Sequence, residues 1–420
     1  MKPRVRIMVA VFLTALTAST AVTAQTIAIT GGTVVTVSGA RIPNGTVIIR
    51  DSMIAAVGGA DVAVPAGATR IDATGKIVTP GLINASAIVG LIEVGSVDGT
   101  NETSEHREVA ASFDVAEGID PASVLIPITR VEGVTSVLMV PSGSFVSGQS
   151  VFADLAGSTI EEMVAKNPVA MHVSLDEGAK GAGQGARAGT LDRLRTLLND
   201  AREYARRKAD FQHAQMQPLS APAAELEALQ PVLAGRLPLV ISADRVFDIR
   251  SALRVAREFH LRVILSGAAE GWEIADEIAR ANVPVLMVPL SNIPSFDALG
   301  ARYENAARLA AAGVKIAIVS GDQGHNARLM RQEAGNAVSY GLPYDAALRA
   351  VTLSPAEILG VQDRYGSLET GRIANVVVWS GDPFEFSTGV EHVFIRGREI
   401  PLTSRQTELL DRYRTLPTRQ

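Results

Sequence analysis

LPLVISADRVFDIRSALRVAREFHLRVILSG, residues 237–267, decides the fold. Leu237–Ile241 and Arg262–Leu265 are short apolar runs rich in β-branched residues, and both read as buried strands. Between them, Phe247–Phe259 sets Ile249, Leu253 and Ala256 at helical spacing, so one apolar stripe turns inward. A strand, a helix and a strand joined by short connections form a βαβ unit, in which the two strands run parallel.

The alternation continues outward on both sides. Toward the C-terminus, Trp272–Ala281 reads as a helix, Val283–Val288 as a strand, Tyr303–Ala312 as a helix and Val314–Val319 as a strand, with helices on to Leu359. Toward the N-terminus, Val134–Val140 is a buried strand. Leu191–Lys208 is a helix with Leu191, Leu194, Leu198, Ala201 and Ala205 on one face. An α/β architecture follows, and a closed (β/α)8 TIM barrel is the most economical form. The doubly wound open sheet is the alternative, but no GxGxxG follows an early strand. Gly178–Gly189 and Ala209–Ala223 read as loops, with His213 solvated.

The ends of the chain differ from the middle. TIAITGGTVVTV (26–37) alternates, and Asn44-Gly45 reads as a hairpin turn before the strand Thr46–Arg50. Asn375–Trp379 and His392–Arg396 are short strands between Gly and Pro. These features divide the chain into a composite β-sandwich from 25–78 and 362–404, a barrel at 79–361 and a tail at 405–420. Residues 1–24 read as a secretory signal peptide: Lys2, Arg4 and Arg6 precede the apolar run Ile7–Leu16, and Val22-Thr23-Ala24 offers a cleavage site. The run is too short to span a bilayer. The expected location is the periplasm, with no membrane span in the mature chain.

Composition narrows the chemistry. The 420 residues carry a net charge of -5 with no basic stripe, which argues against a nucleic-acid partner. There is no cysteine, so disulfides, thiolate zinc sites and thiol nucleophiles are excluded.

TPGLINASAIVG (79–90), PSGSFVSGQSVFADLAG (141–157), LSPAEILG (353–360) and YGSLETGRIANVVVWSGDPF (365–384) resemble the amidohydrolase superfamily, in its exported imidazolonepropionase-like and prolidase-like branch. The resemblance implies hydrolysis of C–N bonds in amides or cyclic amides by one or two metal ions, usually zinc, held at the barrel mouth. It also places the family's His-x-His on Ser86 and Ile88, its strand-five His on Ser242 and its strand-six His on Gly267. Only the strand-eight Asp is matched, as Asp322. Neither Ile nor Gly can ligate, and Ser is a poor zinc ligand, so no cofactor is expected.

A relocated site would draw on Asp322, His325, His172 and Glu177, and His106 follows an acidic loop. Blander readings stand beside these. Asp322 equally suits a helix N-cap before 326–340, His325 a local hydrogen bond, and Ser86 and Ser242 small fillers. Gln149 and Ser150 offer polar groups in a Gly-rich loop after Val140, and Asp244 and Arg245 could pair with each other. The expected role is a non-catalytic family member that binds a ligand or serves as a partner subunit. The alternatives are an active hydrolase of cyclic amides or dipeptides working through Asp322, and a periplasmic binding protein for a small molecule. A homo-oligomer, or a hetero-oligomer with a metal-bearing paralogue, is the expected assembly.

Overall fold

The computed structural model describes residues 25–104, 107–143, 145–213, 215–290, 295–321 and 324–414. The signal-peptide reading of residues 1–24 therefore lies outside the described residues, as do His106 and Asp322.

Strands β1 (Thr26–Val35), β2 (Arg41–Arg50) and β3 (Met53–Gly58) form an antiparallel meander. β4 (Thr69–Asp72) and β5 (Ile77–Pro80) add to β1 in parallel. Asn44-Gly45 is not the hairpin turn. Both residues lie within β2, where the register against β1 slips between Thr30↔Thr46 and Val34↔Ile42. Asn44 takes φ +48°, and the Val34 side chain occupies the space a Cβ on Gly45 would need. The pair thus builds a bulge, and the chain reverses at residues 36–40 instead.

Eight further strands form the barrel: β6 (Leu82–Ala87), β7 (Val134–Met139), β8 (Val146–Asp154), β9 (Val164–Ser174), β10 (Leu239–Ala243), β11 (Val263–Gly267), β12 (Val285–Met287) and β13 (Ile316–Ile318). All pair in parallel except β8, which runs antiparallel to both β7 and β9. This corrects two expectations. The barrel is not wholly parallel, and the Gly-rich stretch after Val140 is mostly a strand. Between β13 and β6 the seam is bridged by Asn84, whose Nδ2 donates to Ser320 Oγ at 2.8 Å. Ile83, Leu138, Phe152, Val240, Ile264 and Leu286 fill the interior, each at most 3% exposed. Burying such side chains contributes about 1.5–3 kcal/mol apiece.

Helices clad the outside for the reason their spacing suggested. Arg187–Arg206 buries Leu191, Leu194, Leu198 and Ala201, together with Leu197 and Tyr204, whereas Ala205 is exposed. Val246–Phe259 buries Ile249, Leu253 and Ala256. No described helix is long and apolar enough to cross a membrane.

β14 (Val376–Trp379), β15 (Val390–Ile395) and β16 (Arg398–Ile400) return to the first sheet, whose order is β16-β15-β14-β5-β1-β2-β3. β14 pairs antiparallel with β5, with Val378 opposite Val78, so both chain ends build one β-domain. A buried polar cluster fastens it to the barrel. Asp154, at the end of β8, accepts from Ser136 Oγ and Asn375 Nδ2 at 2.7 and 2.8 Å, and from Tyr365 Oη at 3.0 Å. The Arg396 guanidinium completes the set as its ion-pair partner.

Candidate functional site

The C-terminal ends of the barrel strands open into one mouth, where active sites of this architecture lie. On the β6–β7 side is a cavity of about 320 Å³. Ser86 and Ile88, just where β6 ends, line it together with Asn101, Thr103, Ser142 and Gly321. Thr103 Oγ1 lies 2.7 Å from Ser142 Oγ and donates to Asn101 Oδ1 at 2.6 Å, so the polar wall is held by its own hydrogen bonds. Ser86 donates its backbone N–H to Asn84 Oδ1 at 3.2 Å and lines the cavity. Every described polar group of this lining is uncharged. Asp322 follows Gly321 directly in the chain.

Across the barrel the inward positions are serines. Ser174, Ser242 and Ser266 stand in register on β9, β10 and β11. Below them His172 lies beside Val240. Its Nε2 is enclosed and has no hydrogen-bond partner among the described residues. Burial holds the imidazole pKa down to about 3, because the charged ring would lose its hydration there.

The strand-six position disfavours a side chain. Gly267 has φ +91°, and a Cβ there would collide with the Asp244 carboxylate. Asp244 accepts the Ala269 N–H at 3.1 Å rather than forming an ion pair with Arg245. Burial pushes its pKa up to about 6, and the neighbouring Asp176, Asp297 and Glu270 add to the rise. Arg187 is the cation of this acidic half. Its guanidinium donates to Asp248 Oδ2 at 2.6 Å and to Leu175 O at 3.2 Å, and it pairs with Asp297.

The remaining sequence candidates do not converge. Glu177 is exposed, with its carboxylate 3.7 Å from Lys180 and its backbone N–H on Asp297. His325 is exposed on a 3-10 turn, and its carbonyl accepts from Arg328. Gln149 donates to Ala111 O and Ser150 to Ala170 O, so both are occupied in the β8 wall. Among the described residues no three His, Asp or Glu side chains are placed to hold a metal ion. Sequence reading missed Arg187, Glu270 and Asp297. Arg187 and Asp297 are 110 residues apart, and no local pattern marks their pairing.

The chain is similar in fold to known proteins over most of its length. The amidohydrolase family model matches residues 196–400. An amidohydrolase from Thermotoga maritima is 27% identical, with a TM-score of 0.82, over 90% of this chain and all of that one. A prolidase crystallised with N-methylphosphonate-L-proline shares the fold at a TM-score of 0.58 and 18% identity, over 90% of this chain and 99% of that one. Amidohydrolase tasK of Hapsidospora irregularis is 24% identical over 80% of this chain, which spans only 37% of that protein's length.

Proposed function

Because the chain belongs to the amidohydrolase superfamily, its barrel mouth is the place to look for a ligand, and we propose that it binds a small uncharged polar molecule there without a metal ion and without hydrolysing it. The observation that carries this reading is the cavity at Ser86 and Ile88, lined by neutral hydroxyl and amide groups where the family would place imidazoles. Its volume lies at the small end of the roughly 300–1,000 Å³ range of ligand sites.

The donor set does not suit the family's ion. The two β6 positions are a serine and an isoleucine, the β10 position is Ser242, and Gly267 cannot be replaced by a ligating side chain without displacing Asp244. Zinc needs three or four N, O or S donors converging within about 2.0–2.3 Å. No step of chemistry is therefore assigned to a metal.

Small cyclic amides and hydantoins are the ligands to test, since they carry neutral polar groups of suitable size, and zwitterionic dipeptides are the charged comparison. A true ligand at 100 times its Kd stabilises the folded chain by about 2.7 kcal/mol. We expect a rise in Tm without turnover, abolished by Ser86→Trp, which fills the cavity. Turnover of any of these compounds, lost in Asp322→Ala, would replace binding with hydrolysis. That second reading would rest on Asp322, because burial lowers the His172 pKa to about 3 and leaves its ring a poor proton acceptor. Export to the periplasm is part of the same proposal and rests on the sequence of residues 1–24.

A further inference from the structure

The polar wall of the neutral cavity has a fixed direction of hydrogen donation, which its hydrogen bonds reveal. Asn101 ends the 3-10 turn Asp98–Thr100, and its backbone N–H donates to Asp98 O at 3.0 Å. Its Oδ1 accepts the backbone N–H of Thr103 at 3.0 Å. A backbone N–H can only donate, so the atom that meets it is the amide oxygen and not the NH2 group. The Thr103 hydroxyl donates to the same Oδ1 at 2.6 Å. A hydroxyl carries one hydrogen, and that hydrogen is now used. In the pair between Thr103 Oγ1 and Ser142 Oγ, 2.7 Å apart, Ser142 is therefore the donor. The Ser142 backbone fixes the same contact, because its N–H donates to Thr103 O at 2.8 Å.

What this chain of bonds leaves over is polarised. Asn101 Nδ2 keeps two hydrogens to donate. Ser142 Oγ keeps lone pairs and no hydrogen. Neither has a further partner among the described residues. Thr103, which sets the direction, is 2% exposed, and its hydroxyl already both donates and accepts. All three residues line the cavity, and only Thr103 separates Asn101 from Ser142 along the chain of hydrogen bonds. A donor and an acceptor thus stand close together in one wall.

We propose that the cavity selects ligands that carry a C=O beside an N–H, the pair that a secondary lactam or an imide presents on one edge. The carbonyl accepts from Asn101 Nδ2, and the N–H donates to Ser142 Oγ. Thr103 is a positioning residue, since it decides which hydroxyl donates. The inference rests on the reading of this cavity as a ligand site and adds the polarity of that site. A lactone is the mismatched ligand: its ring oxygen sets lone pairs against those of Ser142, which costs more than a hydrogen bond merely absent.

The test compares δ-valerolactam with δ-valerolactone, rings of one size that differ in N–H against O, by NMR titration of the full chain. The wild type should bind the lactam about tenfold more tightly or better, the difference expected when a donor is exchanged for an opposing acceptor. Thr103→Val keeps the shape and frees the Ser142 hydrogen to turn outward. It should bring the two affinities within about threefold, chiefly by tightening the lactone. Asn101→Asp keeps the acceptor for the Thr103 N–H but puts an oxygen in place of the NH2 group, and it should lose the lactam. A wild type that binds both rings equally would overturn the polarity and leave the cavity as a ligand site. So would an unchanged preference in Thr103→Val, even with a lowered Tm, because a purely structural role moves stability and not the ratio. Lactam bound undiminished by Asn101→Asp would overturn it as well. Failure of the wild type to bind either ring, or binding that survives Ser86→Trp, would overturn the polarity and the ligand-site reading together.

Discussion

Asp244 and His172 respond to pH in opposite senses, and both can be read by unfolding. The folded Asp244 pKa is raised to about 6 from an unfolded 3.8. Its ionisation therefore opposes folding, a cost that grows as pH climbs through that window and is full above it. Asp244→Asn keeps an acceptor for the Ala269 N–H and carries no charge. It should stabilise the chain by about 3 kcal/mol at pH 8 and by little at pH 4, measured by urea denaturation. The folded His172 pKa is lowered to about 3 from 6.5. Its contribution is present above pH 6.5 and is lost as pH falls toward 3. By pH 5 the wild type should have lost about 2 kcal/mol that His172→Gln does not lose. Gly267 sets a third test. Gly267→His, which restores the residue type of the family pattern, should destabilise the chain and bring no zinc affinity, because Asp244 fills the space and the backbone is left-handed.

Among the elements, β8 joins β7 to β9 in the barrel, yet its sequence reads as a loop. Gly143, Gly148 and the serines of 141–157 give that stretch the composition of a loop, and only pairing with β7 and β9 makes it a strand. Asn44-Gly45 misled in the same way: the dipeptide favours positive φ, and a bulge satisfies that preference as well as a turn does. By contrast, the strands and helices from 237 to 319 were legible because apolar spacing alone specifies them. At the end of β8, Asp154 fastens the barrel to the β-domain. It is fully buried, and Asp154→Ala would strand the Arg396 guanidinium as well as Ser136, Asn375 and Tyr365. A loss of about 3–5 kcal/mol is expected in chemical denaturation. Arg396→Lys should be milder but still destabilising, since it also removes the donation of Arg396 Nη1 to Glu162 O at 2.6 Å.

At the scale of the molecule, the barrel presents two different half-mouths. One is a neutral cavity around Ser86, and the other is an acidic wall whose charge is met by Arg187. For the first, the family resemblance pointed to Ser86 and Ile88, which line the cavity. The second was not visible in the sequence, because its carboxylates come from loops far apart in the chain. The metal content of the chain is the most direct measurement. Protein purified without chelator, exposed to zinc and then dialysed, would be assayed by inductively coupled plasma mass spectrometry. A metal-free mouth retains far less than one zinc per chain, with the same Tm before and after loading. One ion held per chain, and released by Asp322→Ala, would contradict the reading of this mouth as a metal-free binding site.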